Sequence, residues 1–197
     1  PLLARFWKSY PEVVMDLRIG DSEDIVGRVR DNELMLGIVG ARFDACELHF
    51  EPIATDTLVL VMTPELKSRY GHLGVPELLR SLPWVMREEG SGTRMAMVSA
   101  LAGLSIDIGA LRTVMMVRNA GAMARCLAAG MGAAITSSVT VESDLSSGTL
   151  VALDVPELRM ERQFYVVFNT RRSLFPAAVK LIEFLKTNAE PHVRMHS

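Results

Sequence analysis

Apolar positions in this chain switch between a helical and a strand period, and each switch marks an element. Leu2, Phe6 and Tyr10 recur at helical spacing, and Pro11 stops the helix. Val13, Met15, Leu17 and Ile19 alternate with Val14, Asp16 and Arg18, which predicts a strand. Asp21 or Ser22 then caps a helix carrying Ile25, Val26 and Val29. Residues 34–39 and 57–62 are short apolar runs, read as strands buried on both faces. A short helix opens at Val75-Pro76-Glu77 and ends before Pro83. Residues 84–86 form a strand, followed by a glycine turn and a helix over 95–104. A strand over 114–117 leads to Asn119, which caps a helix over 120–129 that Gly130-Met131-Gly132 closes. Residues 133–136 are a strand, and Ser137 or Ser138 caps a short helix toward Leu145. Two strands, 150–155 and 164–168, precede a last amphipathic helix with Pro176 in its first turn. Residues 190–197 are expected to fray.

This alternation predicts an α/β chain with mostly parallel sheets and right-handed crossovers. In such sheets ligands sit beyond the carboxyl ends of the strands. Three strand-to-helix corners carry small polar residues: 20–22, 90–93 and 118–119. They are expected to converge on one cleft. The corner Glu88-Glu89-Gly90-Ser91-Gly92-Thr93-Arg94 is the richest. Free N–H groups at a helix start, beside two hydroxyls, suit a carboxylate or another small anion. The glycines allow a ligand close to the backbone. The competing reading is a plain N-cap, with Ser91 or Thr93 satisfying the orphan donors itself.

Composition narrows the classes. The 197 residues suffice for one large domain or two small lobes, and 49% of them are hydrophobic. A net charge of −2, a pI near 6.1 and the lack of a basic run argue against a nucleic-acid surface within these residues. Apolar runs such as 58–62 are too short to span a bilayer, and no signal peptide is visible. Cys46 and Cys126 have no metal-ligand spacing and read as reduced thiols of a cytoplasmic protein. The four histidines are scattered, so no metal and no cofactor is expected, and the twelve methionines read as core filler. Glu88-Glu89 does not read as a catalytic pair, because neighbours on a strand face opposite ways. Ser137-Ser138 lacks a nucleophile elbow, and Gly90-Ser91-Gly92-Thr93 lacks a P-loop lysine.

Several segments, taken in order, resemble the effector-binding domain of LysR-type transcriptional regulators. They are Leu2-Leu3-Ala4-Arg5-Phe6 with Tyr10-Pro11, Gly20-Asp21-Ser22-Glu23-Asp24 with residues 32–39, and Pro52-Ile53-Ala54-Thr55-Asp56 with residues 58–61. Pro83-Trp84, Arg87-Glu88, residues 90–94 and Ala129-Gly130-Met131-Gly132-Ala133-Ala134-Ile135 complete the likeness. Met35 departs from it, standing where the family usually has aspartate. The resemblance implies a two-lobed, periplasmic-binding-protein-like (type 2) fold with an inter-lobe cleft. Lobe I would comprise 1–82 plus 153–197, and lobe II 83–152.

The same resemblance implies an effector sensor, not an enzyme. Effector contacts would come from Ser91, Gly92, Thr93 and Asn119 in lobe II, and from Asp21, Ser22, Gly40 and Ala41 in lobe I. Arg42 or Arg118 could pair with an anionic effector, an organic acid or an inorganic oxyanion. A homodimer is implied, with Leu3, Trp7 and the helix over 26–30 as interface candidates, and a tetramer is conceivable in the full-length protein. Trp7 reads equally well as core. The family's winged helix-turn-helix, linker helix and first strand are not found in these residues. DNA is therefore expected to be reached only through that other domain. Lobe I is expected to leave strand edges unpaired. A solute-binding protein of a transporter, on the same two-lobe fold, is the alternative, and an enzyme on that fold comes third.

Overall fold

The computed structural model describes residues 2–158 and 160–189; the tail expected over 190–197 lies outside them. In chain order the elements are α1 (Leu2–Ser9), α2 (Ser22–Arg30), β1 (Gly37–Val39), β2 (Leu48–Met62), α3 (Pro64–Tyr70), α4 (Val75–Ser81), β3 (Trp84–Arg87) and α5 (Gly92–Gly103). They continue with β4 (Thr113–Val117), α6 (Ala120–Ala128), β5 (Ala134–Ser137), α7 (Glu142–Ser146), β6 (Val151–Leu153), β7 (Met160–Asn169) and α8 (Pro176–Asn188). The chain folds as two units. It leaves the first after Thr55, inside β2, and returns to it at Gln163, inside β7. These boundaries differ from the expected 82/83 and 152/153. The reason is the core of the second unit. Leu58, Leu60 and Met62 of β2, Leu78 and Leu79 of α4, and Val155, Leu158 and Met160 pack into one cluster with Trp84, Met86 and Met97. Residues 56–82 and 153–162 therefore belong with the strand that follows Pro83.

In the first unit, α2 covers a small sheet. Ile25, Val26 and Val29 bury against Val39, Leu48, Phe50 and Val167, and β1 pairs antiparallel with β7. A Cβ at Gly37 would lie 2.5 Å from Ile25 Cγ2, so a side chain there would push α2 off the strand. α1 rests on α8, with the Phe6 ring edge-on to Phe184 at 5.5 Å. Trp7 is 52% exposed, which places it on the surface. The strand expected over 13–19 does not form. Its alternation is intact, yet no described strand pairs with it, and Val14 and Ile19 stand 96% and 84% exposed. A strand exists through its ladder, and periodicity alone cannot supply the partner.

In the second unit, β3 and β4 are parallel, and Trp84 makes a further parallel bridge to Ala133. β2 pairs antiparallel with both β5 and β6. The alternation had suggested mostly parallel sheets, but these ladders of β1, β2 and their partners are antiparallel. Trp84 is fully buried and its Nε1 donates to the Leu79 carbonyl at 2.7 Å. Gly130 closes α6 at φ +74°, a backbone conformation that side chains resist. Helix α3 was not predicted. It has a Thr63 cap and Pro64 in its first turn, but it buries no residue and so shows no apolar period. No helix among the described residues is long and apolar enough to cross a membrane.

Candidate functional site

The second unit concentrates hydrogen-bond donors at the start of α5. The helix begins at Gly92, three residues before the apolar pattern suggested, so Ser91 is its N-cap and Thr93 lies in its first turn. Ser91, Gly92 and Thr93 are all buried; Ser91 is 2% and Thr93 5% exposed. The first helical hydrogen bond is Met95 N–H to the Ser91 carbonyl. The N–H groups of Gly92, Thr93 and Arg94 precede that bond and have no intrahelical acceptor. Ser91 makes no capping bond, and its hydroxyl has no partner among the described residues. Among the described residues no buried side-chain oxygen or nitrogen is both sealed from solvent and unpaired. The Ser91 hydroxyl must therefore face an opening.

Charge around this helix start departs from the usual pattern. Acidic residues normally favour a first helical turn. Here there is none, and Arg94 stands in their place with a side chain only 17% exposed. Its Nη1 donates to the Arg87 carbonyl at 3.1 Å, and its nearest carboxylate, Glu89, is 3.8 Å away and solvent-exposed. Arg87 holds Glu88 with two bonds, 2.8 and 2.6 Å long. Burial opposes the Glu88 carboxylate, but the Arg87 hydrogen bonds, its own N–H and the charges of Arg87 and Arg118 outweigh it. Its pKa therefore falls below the ordinary carboxylate value.

A largely buried ion pair completes the site, and sequence reasoning missed it. Asp56 of β2 is 1% exposed. It accepts from Arg162 Nε of β7 at 2.8 Å and from the Ser137 hydroxyl of β5 at 2.7 Å. Arg162 Nη1 in turn donates to the Thr93 hydroxyl at 2.7 Å. The guanidinium is thus fixed between a carboxylate and the first turn of α5. Burial pulls the Arg162 pKa down, and Asp56 opposes the shift. The Thr93 oxygen accepts from Arg162, so its own proton is directed elsewhere, and no acceptor for it stands among the described residues. Arg162 and Asp56 are 106 residues apart. Each sits at the polar margin of an apolar run, where the sequence reads as a solvated end.

The remaining candidates are placed as follows. Asn119 caps α6, its Oδ1 accepting from Ala122 N–H at 2.7 Å. The register Arg87↔Val117 sets its corner beside the Glu88 corner. Two of the three expected corners therefore adjoin, within the second unit. The third belongs to the first unit. Asp21 Oδ1 caps α2 by accepting from Asp24 N–H at 2.8 Å. The Ser22 hydroxyl accepts from Gly40 N–H at 3.1 Å, which ties the residue before Ala41 to the same corner. Arg42 spreads over the Phe50 and Tyr165 rings at 5.7 and 5.8 Å. A cavity of about 10 Å³ lies behind α5 among Val85, Thr93, Met97 and Met123, enough for about one water. An open groove of about 390 Å³ is lined by Glu89, Arg94, Met95, Val98, Ser99 and Ile108. Among the described residues no cluster of metal-ligating side chains occurs, and both cysteines are free thiols.

Residues 1–190 match the family described as LysR substrate binding domain. The chain belongs to that family. Among curated relatives, it is 34% identical over 194 residues to the HTH-type transcriptional regulator CbbR of Rhodospirillum rubrum, covering 95% of this chain and 61% of that protein. It is 37% identical over 180 residues to a protein named Phosphonates import ATP-binding protein PhnC from Anaeromyxobacter dehalogenans, covering 90% of this chain and 35% of that one. The chain thus spans about a third to two thirds of the length of these relatives. Among solved structures, the CcmR regulatory domain of Synechocystis PCC6803, in complex with 2-PG, superposes with a TM-score of 0.81 at 25% identity. That match covers 96% of this chain and 91% of that one. The effector-binding domain of QuiR has a TM-score of 0.80 at 18% identity, covering 94% and 87%. The fold is the α/β, periplasmic-binding-protein-like fold of LysR regulatory domains, and the family reading takes precedence over that of a transporter's solute-binding protein.

Proposed function

We propose that this LysR domain senses a small molecule carrying an oxyanion, bound at the start of α5 without chemical turnover. One observation carries the reading. The Ser91 hydroxyl, the Thr93 hydroxyl proton and the N–H groups of Gly92 and Thr93 are donors on buried residues, with no acceptor of their own among the described residues. Donors that face an opening are hydrated until an acceptor displaces the water. A carboxylate, phosphate or sulfate brings several acceptor oxygens and suits the positive helix end. The 2-PG carried by the CcmR regulatory domain supports an acidic effector. Asn119 remains a proposed secondary contact, and Asp21, Ser22, Gly40 and Ala41 lie together in the first unit. The side chains of Asn119, Asp21 and Ser22 and the N–H of Gly40 already serve caps and turns.

In the whole protein the domain would pass the binding event to a DNA-binding domain in the cytoplasm, acting as a homodimer. For such a self-complementary contact the exposed Trp7 of α1 is a candidate residue. The test is a thermal-shift titration with inorganic phosphate, sulfate and 2-PG. A ligand at a hundred times its Kd should add about 2.7 kcal/mol to the native state. Ser91→Ala and Thr93→Ala should weaken that stabilisation. An oxyanion effect that both variants leave untouched, or no effect in the unsubstituted domain, would remove the proposal.

A further inference from the structure

Resting on that reading, we propose that Arg162 is the charged anchor of the effector site and that Asp56 sets the site's affinity by opposing the ligand's charge. Three observations lead there. First, Arg162 reaches the first turn of α5 itself, with Nη1 on the Thr93 hydroxyl at 2.7 Å. An oxyanion bound by Ser91, Gly92 and Thr93 would therefore lie beside the Arg162 guanidinium, on a side chain only 15% exposed. Second, Asp56 takes the Nε edge at 2.8 Å, and Ser137 steadies its other oxygen at 2.7 Å. The guanidinium is held in one orientation before any ligand arrives, which lowers the ordering cost of binding. Third, Asp56 is 1% exposed, so solvent does little to screen its charge. A ligand carboxylate or phosphate meets the attraction of Arg162 and the repulsion of Asp56 together.

The arrangement gives two substitutions opposite signs. Arg162→Gln removes the attraction and leaves Asp56 facing the anion alone. Asp56→Asn keeps one oxygen for Arg162 Nε and turns its NH2 to Ser137, whose hydroxyl oxygen can accept, but it deletes the negative charge. The Asp56 charge that faces Arg162 is then gone, and the anion can take its place beside the guanidinium. A pair that served folding alone would respond differently, since either substitution would loosen the site and weaken binding. Asp56 is accordingly a positioning residue that acts through Arg162, and its signature is tighter binding in a less stable protein. The ligands so selected are small oxyanions, and neutral analogues of the same shape would be rejected.

The experiment measures binding of inorganic phosphate, sulfate and 2-PG by calorimetry to the unsubstituted domain and to Arg162→Gln, Arg162→Lys and Asp56→Asn. Folding of each is checked by circular dichroism. Arg162→Gln should weaken binding at least about thirtyfold, with Arg162→Lys between it and the parent. Asp56→Asn should tighten binding about tenfold or more while lowering the unfolding midpoint of the free protein. An unaffected Arg162→Gln, or an Asp56→Asn that binds more weakly, overturns the proposal while leaving the α5 site intact. Failure of the parent to bind any of the three anions overturns both. Should a variant not fold, the parent alone decides. The Arg162 Nε–H resonance should shift with added phosphate and saturate at the calorimetric midpoint, and a resonance that stays still rejects the anchor.

Discussion

Asp56→Ala is expected to be among the most damaging single substitutions in the second unit. It deletes a carboxylate that is 1% exposed and accepts bonds of 2.8 and 2.7 Å from Arg162 and Ser137. Left behind are the guanidinium of a side chain 15% exposed and a hydroxyl on a residue 6% exposed. Stranding one member of a buried ion pair costs about 3–5 kcal/mol, far more than the pair adds over a well-packed apolar replacement. For a chain of this length each kcal/mol moves the melting midpoint by about 2–4 °C, so a loss of about 6–20 °C is expected. Arg162→Met should be costly for the mirrored reason, because it strands Asp56. The double variant, Asp56→Ala with Arg162→Met, should cost less than the sum of the two by about 2–3 kcal/mol, since no charge is left without its counter-ion. Urea unfolding followed by fluorescence of the fully buried Trp84 measures all four corners of the cycle. A loss below about 1 kcal/mol for Asp56→Ala, or strict additivity, would refute the account of the pair.

Glu88 makes a pH prediction. Its folded pKa is depressed below the model-compound value of 4.5, so its stabilisation is fully present above about that pH and is lost as the pH falls through the lower folded value. Glu88→Gln should flatten the acid limb of stability against pH, and an unchanged acid limb would show that the Arg87 pair adds nothing. Asn119→Ala should cost about 1 kcal/mol through loss of the α6 cap, read from urea midpoints, and a neutral result would mean that water caps the helix equally well.

Much of the fold could be read from local signals. The caps at Asp21 and Asn119 and the end of α6 at Gly130 fall where short-range chemistry placed them. Segments that depend on partners were less legible. Residues 13–19 show a strand's alternation without a strand's ladder. β2 extends from Leu48 to Met62, far beyond its apolar run at 57–62. Its early half carries His49, Glu51 and Pro52, which mask the period. At the site, the donors of α5 were visible because a glycine-rich turn before a helix is a local pattern. Asp56, Ser137 and Arg162 were not, because their meaning comes from three strands that only the fold brings together. Arg118 and Arg42, the arginines that the sequence singled out, are exposed, and the buried one lay at a strand margin.

The passage of the chain through β2 and β7 has an evolutionary corollary. It leaves the first unit after Thr55 and re-enters it at Gln163, and those two residues are hydrogen-bonded to each other at 3.2 Å. The intervening polypeptide is topologically a cassette with adjoining ends. Insertions, recombination or wholesale divergence within 56–162 would leave the scaffold that receives it connected as before, so ligand preference can drift in one part of the gene without rewriting the other.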